Sequence, residues 1–204
     1  MFSRVLAADP SVDKDLLMKD MIIFYFAGHD TSSHGIFSII FYMIKHRNVL
    51  KNVFEEIQEI FGNPKPNEIS SLLTLERLDN LDYLSYVIKE TLRYDNPASI
   101  LLGYKAITEV TLCGVPIPKD SKIFVSINAV QYNPTEWKEP NKYIPERFGP
   151  ESEYFVRPGG EQKGLNSFIP FSLGLRNCAG KSLVILEMKT VVSYFLMKFG
   201  DSRL

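Results

Sequence analysis

Cys178 lies in the ten-residue segment FSLGLRNCAG (171–180), whose residue types and spacing are suited to holding a ligand. Gly174 and Gly180 permit a tight loop and the close approach of a flat ligand to the backbone. Arg176 supplies a permanent charge and a planar fork of donors that matches a carboxylate. Because a lone cysteine is more often a small buried hydrophobe, it is this frame of glycine and arginine that makes the thiol a candidate functional group.

The segment that follows the loop must position this thiol. The sequence SLVILEMKTVVSYFLMKF (182–199) is apolar over a wide arc at helical spacing, which predicts a buried helix. The free N–H groups and the positive dipole end at the start of a helix stabilise a thiolate, and a bound metal would deprotonate the sulfur outright. Cys178 is therefore a candidate metal ligand near the start of this helix.

A long helix is predicted over 11–45, which contains no proline and is apolar nearly all round in its middle. We expect it to be buried in a core and, at about 1.5 Å per residue, to cross a whole domain. Its centre reads AGHDTSS, where Asp30 and Thr31 are poor helix formers. Two interpretations are open: Thr31 bonds back to a carbonyl and bends the helix while Asp30 faces water, or these polar residues have a function.

The remaining candidate ligands show no site of their own. His29 and His34 are five residues apart and project from different helix faces, so we expect one exposed and one packed histidine rather than a metal pair. Cys113 lies in an apolar, β-branched run without a motif and is expected to be a small buried residue. No spacing of cysteine and histidine is typical of zinc.

Two further helices and a β-rich region complete the pattern. Apolar residues at helical spacing predict helices over 48–61 and 82–94, joined by a connection over 62–75. Between 100 and 127, short β-branched runs separated by glycine and proline predict strands in a small sheet. Glycine, proline and charged residues over 151–166 predict a surface loop.

The pattern F-x-x-G-x-R-x-C-x-G resembles the haem-binding loop of the cytochrome P450 family, the haem-thiolate monooxygenases. Five positions of this segment match it: Phe171, Gly174, Arg176, Cys178 and Gly180. The resemblance implies that Cys178 is the axial iron ligand of haem b (iron protoporphyrin IX). It also implies that Arg176 lies near a haem propionate and that Phe171 lies close to the sulfur.

Other motifs of the family occur in the family's order. AGHDTSS is similar to A-G-x-D-T-T, which implies that Asp30 and Thr31 deliver protons during dioxygen activation. Glu90 and Arg93 match E-x-x-R, and PERF (145–148) matches its partner segment. Helical spacing by itself predicts a solvated ion pair for these two residues. The resemblance instead implies a buried network of Glu90, Arg93 and Arg147, and we expect Tyr83 and Tyr86, on the same helix face, to cover it.

One position departs from the family. Members commonly have an arginine that pairs with a haem propionate five residues before an acidic position, which is Glu109 here, and this chain has Tyr104 instead. A tyrosine hydroxyl donates one hydrogen bond but does not neutralise a carboxylate. We therefore expect anchoring of the propionates to depend more heavily on Arg176.

Composition excludes several classes of protein. A net charge of −1 and a pI near 6.3, with basic residues scattered along the chain, give no indication of nucleic-acid binding. The apolar runs 21–28 and 36–44 are shorter than the roughly 20 residues of a membrane-spanning helix, and no signal peptide is visible. Two cysteines allow one disulfide at most, so a disulfide-rich secreted domain is excluded.

The resemblance implies a mainly α fold with small β-sheets, the C-terminal part of the P450 fold. We expect residues 1–204 to be a partial haem domain, incomplete at both ends, from a protein anchored in the endoplasmic reticulum membrane by a segment outside this chain. The implied activity is monooxygenation of an apolar organic substrate with O₂ and electrons from a reductase. Alternatives are a haem-thiolate protein that rearranges peroxides, as an isomerase or dehydratase, and an inactive truncated product.

Overall fold

The computed structural model describes residues 5, 7–9, 11–101 and 103–200 and is mainly helical, as predicted. Its helices are α1 (Lys14–Lys45), α2 (Arg47–Phe61), α3 (Ile69–Leu72), α4 (Leu75–Asp79), α5 (Asp82–Tyr94), α6 (Ile127–Gln131) and α7 (Lys181–Phe199). Single 3₁₀ turns span Pro145–Phe148, Glu153–Phe155 and Gly174–Arg176. The strands are β1 (Tyr104–Lys105), β2 (Val110–Leu112), β3 (Val115–Ile117) and β4 (Lys122–Ile123).

The strands form two separate antiparallel pairs, β1 with β4 and β2 with β3, rather than the single small sheet that was expected. Leu102, which falls within one predicted strand run, lies outside the described residues. Cys113 and Gly114 form the two-residue turn between β2 and β3, with φ of 49° and 80°. Such turns require positive φ at both positions and lie on the surface, so Cys113 is exposed and the prediction of a buried residue was wrong.

The core lies between α2, α5, α7 and the C-terminal half of α1. The apolar stripes of these helices meet there, and each helix contributes a residue that is wholly inaccessible to solvent, such as Ile39, Val53, Val87 and Val192. Helix α1 crosses α7 at Gly35, where an added Cβ would overlap the Met188 side chain. This small residue therefore sets how closely the two helices approach.

Helix α1 is buried over only part of its length, which corrects the expectation of a helix inside a core. Its buried residues begin at Ser32, whereas Ile22, Phe24 and Phe26 are 61–67% exposed. The reason is that α2, α5 and α7 pack on α1 beyond the AGHDTSS segment, and no other described element covers the first half. None of the helices in the described part of the chain combines the length and apolarity that a membrane span requires.

Helix α5 begins without a side-chain cap of its own. Glu56 of α2 supplies the missing acceptors, because its carboxylate accepts hydrogen bonds from the backbone N–H groups of Tyr83 at 2.6 Å and Leu84 at 2.9 Å. A negative charge at this position also complements the helix dipole. Burial raises the pKa of Glu56 and these two hydrogen bonds oppose that rise. The cap fixes α5, which carries Glu90 and Arg93, against α2.

Candidate functional site

The Cys178 loop is closed by its own backbone. The N–H of Cys178 donates to the carbonyl of Phe171 at 2.9 Å. Gly174, with φ of 72°, begins the 3₁₀ turn that lets the chain reverse. An added Cβ at Gly180 would lie 3.8 Å from the Cys178 sulfur, so the backbone there passes close to the thiol. The thiol is exposed and free, three residues before the start of α7 at Lys181.

The surface around this thiol is complementary to a flat, mainly apolar ligand with an anionic edge. Leu173, Leu175 and Leu183 are 47%, 104% and 71% exposed, so apolar surface flanks the sulfur. Arg176 is exposed, and no described residue forms an ion pair with it. Haem has an iron that binds a thiolate, an apolar ring and carboxylate groups that pair with a cation. The residues of this loop therefore fit haem.

The polar segment of α1 stays fully helical. Thr31 donates its hydroxyl to the carbonyl of Ala27 at 2.7 Å, and Ser33 does the same to His29. The Asp30 carboxylate lies 3.0 Å from His29 Nδ1, with both side chains more than half exposed. The back-bonding that one interpretation expected is therefore present. Asp30 and Thr31 are also accessible from outside the chain, as a proton-delivering pair must be.

Both polar segments lie near one crossing point. Thr31 precedes Gly35 by four residues on α1, and Lys181 precedes Met188 by seven on α7. At 1.5 Å per residue these separations are about 6 and 10 Å. The contact between Gly35 and Met188 therefore brings the Asp30–Thr31 segment near the start of α7, the helix that follows Cys178.

The structure brings Glu90, Arg93 and Arg147 together in the interior. The Glu90 carboxylate accepts two hydrogen bonds from Arg93, at 2.7 and 2.9 Å, and one from Arg147 Nε at 3.2 Å. It also accepts one from the N–H of Ile144 at 2.8 Å. All three charged side chains are at most 1% exposed. Burial lowers the pKa of Arg147, and the charge of Glu90 opposes that shift.

The cover over this network differs from the expected one. Tyr83 lies beside it and donates its hydroxyl to Glu146 at 2.8 Å. The guanidinium of Arg93 is covered instead by the rings of Tyr132 and Trp137, at 5.2 and 5.3 Å. The irregular segment 131–142 directs several carbonyls at the two arginines, which donate to them: Gln131, Lys138, Glu139, Pro140 and Lys142. Because buried carbonyls need donors, this segment and the arginines satisfy one another.

Comparison with known proteins agrees with this architecture. The family model described as Cytochrome P450 matches residues 4–200. The chain belongs to the cytochrome P450 family. It is 31% identical over 199 residues to Cytochrome P450 4A10 of Mus musculus, covering 98% of this chain and 36% of that protein. It is 31% identical over 176 residues to Cytochrome P450 4F2 of Homo sapiens, covering 86% and 32%.

A solved zebra fish cytochrome P450, in a structure with abiraterone, matches 85% of this chain and 38% of its own with a TM-score of 0.70 and 27% identity. The predicted family and fold class are thus confirmed, and haem is the cofactor of that family. This P450 chain spans about a third of the length of the curated relatives it matches.

Sequence reasoning missed one pair in this P450 chain. His34 Nε2 lies 3.3 Å from Asp95 Oδ1, and Ser38 donates to Asp95 Oδ2 at 2.7 Å. His29 and His34 are therefore both exposed and both beside a carboxylate, which corrects the expectation of one exposed and one packed histidine. Asp95 follows His34 by 61 residues, so no local signal indicated the pair. Tyr104 lies in β1, 44% exposed.

Proposed function

We propose that the protein to which this chain belongs is a haem-thiolate monooxygenase, and that residues 1–204 form part of its haem domain. The observation that carries this proposal is the Cys178 loop: an exposed thiol ahead of a long helix, inside the family's glycine and arginine frame. When bound, haem supplies the iron chemistry that activates O₂, and a thiolate ligand favours O–O cleavage. Its substrate would be an apolar organic molecule.

The residues of the Cys178 loop would have separate roles in binding haem. Cys178 would ligate the iron, Gly174 and Gly180 would let the ring approach the backbone, and Arg176 would hold a propionate. Phe171 would pack beside the sulfur and exclude water from it.

On α1, Asp30 and Thr31 would move protons to dioxygen, since a carboxylate exchanges protons with solvent and a hydroxyl both accepts and donates them. The exposure of the Asp30 side chain supports this role. Electrons would come from a separate reductase, and the full protein would be held at the endoplasmic reticulum membrane.

The two cysteines allow a matched test of the proposal. We expect Cys178→Ser, made in the haem-loaded full-length protein, to lose the strongly red-shifted Soret band of the reduced, carbon-monoxide-bound form, because that shift requires a thiolate ligand. Cys113→Ser should keep the band, since this second exposed thiol lies in a hairpin turn. Equal spectra and equal haem retention in the two variants would contradict the assignment.

A further inference from the structure

A second carboxylate meets a histidine one helical turn after Asp30 and Thr31. His34 lies four residues after Asp30 on α1, and its Nε2 atom lies 3.3 Å from Asp95 Oδ1 at the end of α5. Ser38, only 2% exposed, donates its hydroxyl to the other carboxylate oxygen at 2.7 Å. The carboxylate is therefore held in place against the imidazole by a buried hydroxyl.

This contact selects which nitrogen of His34 carries the proton. An ionised carboxylate only accepts hydrogen bonds, so the neutral imidazole must carry its hydrogen on Nε2, beside Asp95, and keep a lone pair on Nδ1. The His34 side chain is 46% exposed, which leaves the ring open to water. Nδ1 is thus available to take up and release protons.

His34 also lies next to Asp30. Residues four apart are neighbours on a helix surface, with Cβ atoms about 5–6 Å apart. Helical side chains lean over the preceding turn, so His34 lies above the turn that carries Asp30. The Asp30 carboxylate contacts His29 Nδ1 at 3.0 Å, and the side chains of Asp30 and His34 are 58% and 46% exposed, so water reaches both groups.

We propose that His34 is a proton shuttle that serves Asp30, and that Asp95 and Ser38 are positioning residues that fix its tautomer. Nδ1 takes a proton from solvent, and the resulting imidazolium gives a proton to the Asp30 carboxylate and returns to the neutral Nε2–H form. Each cycle moves one proton from water to Asp30 and leaves His34 unchanged. This inference rests on the proposed function, because it assumes that Asp30 passes its proton on.

Few other ionisable groups face His34. Asp95 approaches it from α5 and Asp30 from its own helix. Burial and the charge of Asp95 raise the pKa of the Tyr42 phenol, which therefore stays neutral at physiological pH. From α7, Met188 packs on the neighbouring Gly35, and its side chain does not titrate. His29 contacts the Asp30 carboxylate at 3.0 Å, so an effect of pH on proton transfer is assigned to His34 by comparison with His29→Gln.

The first test measures the tautomer without using activity. In ¹⁵N-histidine-labelled protein, reduced and carbon-monoxide-bound so that it is diamagnetic, we expect a resolved His34 Nε2–H signal, identified by its loss in His34→Gln. Asp95→Ala should remove that signal through fast exchange with water, and Ser38→Ala should weaken it. A wild-type protein without the signal, or a signal that persists in Asp95→Ala, would overturn the proposed role of Asp95.

The second test measures product formed per reductant consumed as a function of pH. We expect His34→Gln to lower product formation about tenfold at pH 7, below the usual range for a direct acid or base because water partly substitutes, and to flatten the profile between pH 5 and 8. Asp95→Glu, which keeps a carboxylate at this position, should retain the wild-type pH profile. His29→Gln and His46→Gln are the controls: His29 contacts Asp30 at 3.0 Å, and His46 stacks on Tyr143. A profile that flattens in His29→Gln and not in His34→Gln would overturn the proposed shuttle.

Thr31→Ala, measured in parallel, separates this inference from the proposed function. If Thr31→Ala lowers the product ratio and His34→Gln leaves the profile unchanged, the shuttle is wrong and the proposed function stands. If neither variant changes the ratio, the shuttle and the proton-delivery role of Asp30 and Thr31 are both wrong, and the haem-thiolate proposal then depends on the Cys178 test alone.

Discussion

The Glu90–Arg93–Arg147 network and the Cys178 loop both contain charged or reactive side chains, but these side chains differ in their bonding partners. In the network, every charged group is at most 1% exposed and bonds to other groups of the same chain. In the loop, Cys178 and Arg176 are exposed. A buried charge must be paired internally, so the groups of the network are committed to one another, whereas the loop is available to a ligand.

Residues of the network and residues of the ligand-facing segments can therefore be separated by experiment. Substitutions in the network should lower the free energy of unfolding before they affect chemistry. Substitutions in the polar segment of α1 should do the reverse, since those side chains contribute little burial. We expect the loss of stability to decrease in the order Glu90→Ala, Tyr132→Phe and Thr31→Ala.

Glu90→Ala should have the largest effect. It leaves Arg93 and Arg147 buried without their carboxylate, and removing one partner of a buried ion pair typically costs about 3–5 kcal/mol. Glu55→Ala is the matched control, because Glu55 forms an exposed pair with Lys51 at 3.6 Å, a type usually worth less than about 1 kcal/mol. Urea unfolding measures both. A loss below about 1 kcal/mol for Glu90→Ala would mean that the network does not stabilise the fold.

Tyr132→Phe should have an intermediate effect. The phenol donates to the carbonyl of Tyr94 at 2.5 Å and its ring covers Arg93, and a single hydrogen bond contributes about 1 kcal/mol at neutral pH. Burial raises the pKa of Tyr132 to about 12, above the ordinary value near 10 of the unfolded chain.

The folded protein therefore keeps a proton that the unfolded chain releases, and stability is lost as the pH rises from about 10 to about 12. The phenylalanine variant lacks this component, so its deficit relative to wild type should shrink over that range. Denaturant unfolding at pH 8, 10 and 11 measures it. Parallel pH dependence in the two proteins would show that this phenol does not titrate abnormally.

Thr31→Ala should change stability least. It removes one exposed hydroxyl that bonds to its own helix, and alanine is the better helix former. In the haem-loaded full-length protein, its spectrum should match wild type while less product forms per reductant and more hydrogen peroxide is released. Asp30→Asn should slow turnover and alter its pH dependence. An unchanged ratio in both variants would favour the interpretation in which AGHDTSS only bends and solvates the helix.

Local features were predictable because they depend on neighbours in sequence. The helix predicted over 82–94 is α5, with the same ends, since its apolar stripe and the change of pattern at either side are local. The Cys178 frame was equally visible, because glycine and arginine at fixed offsets define a loop. The exposed turn at Cys113 also has a local signal, because a glycine follows this residue between two alternating runs.

The burial of individual side chains, and the groups that cover them, depended on packing between elements distant in sequence. Periodicity placed Glu90 and Arg93 on a solvated face, and the segment 131–142 covers them because its carbonyls need the donors that these arginines offer. Periodicity also predicted α1 to be buried throughout, whereas its buried residues begin at Ser32. The pairing of His34 with Asp95 joins residues 61 apart. A sequence determines the spacing along each element, but burial and ion pairing depend on contacts between elements.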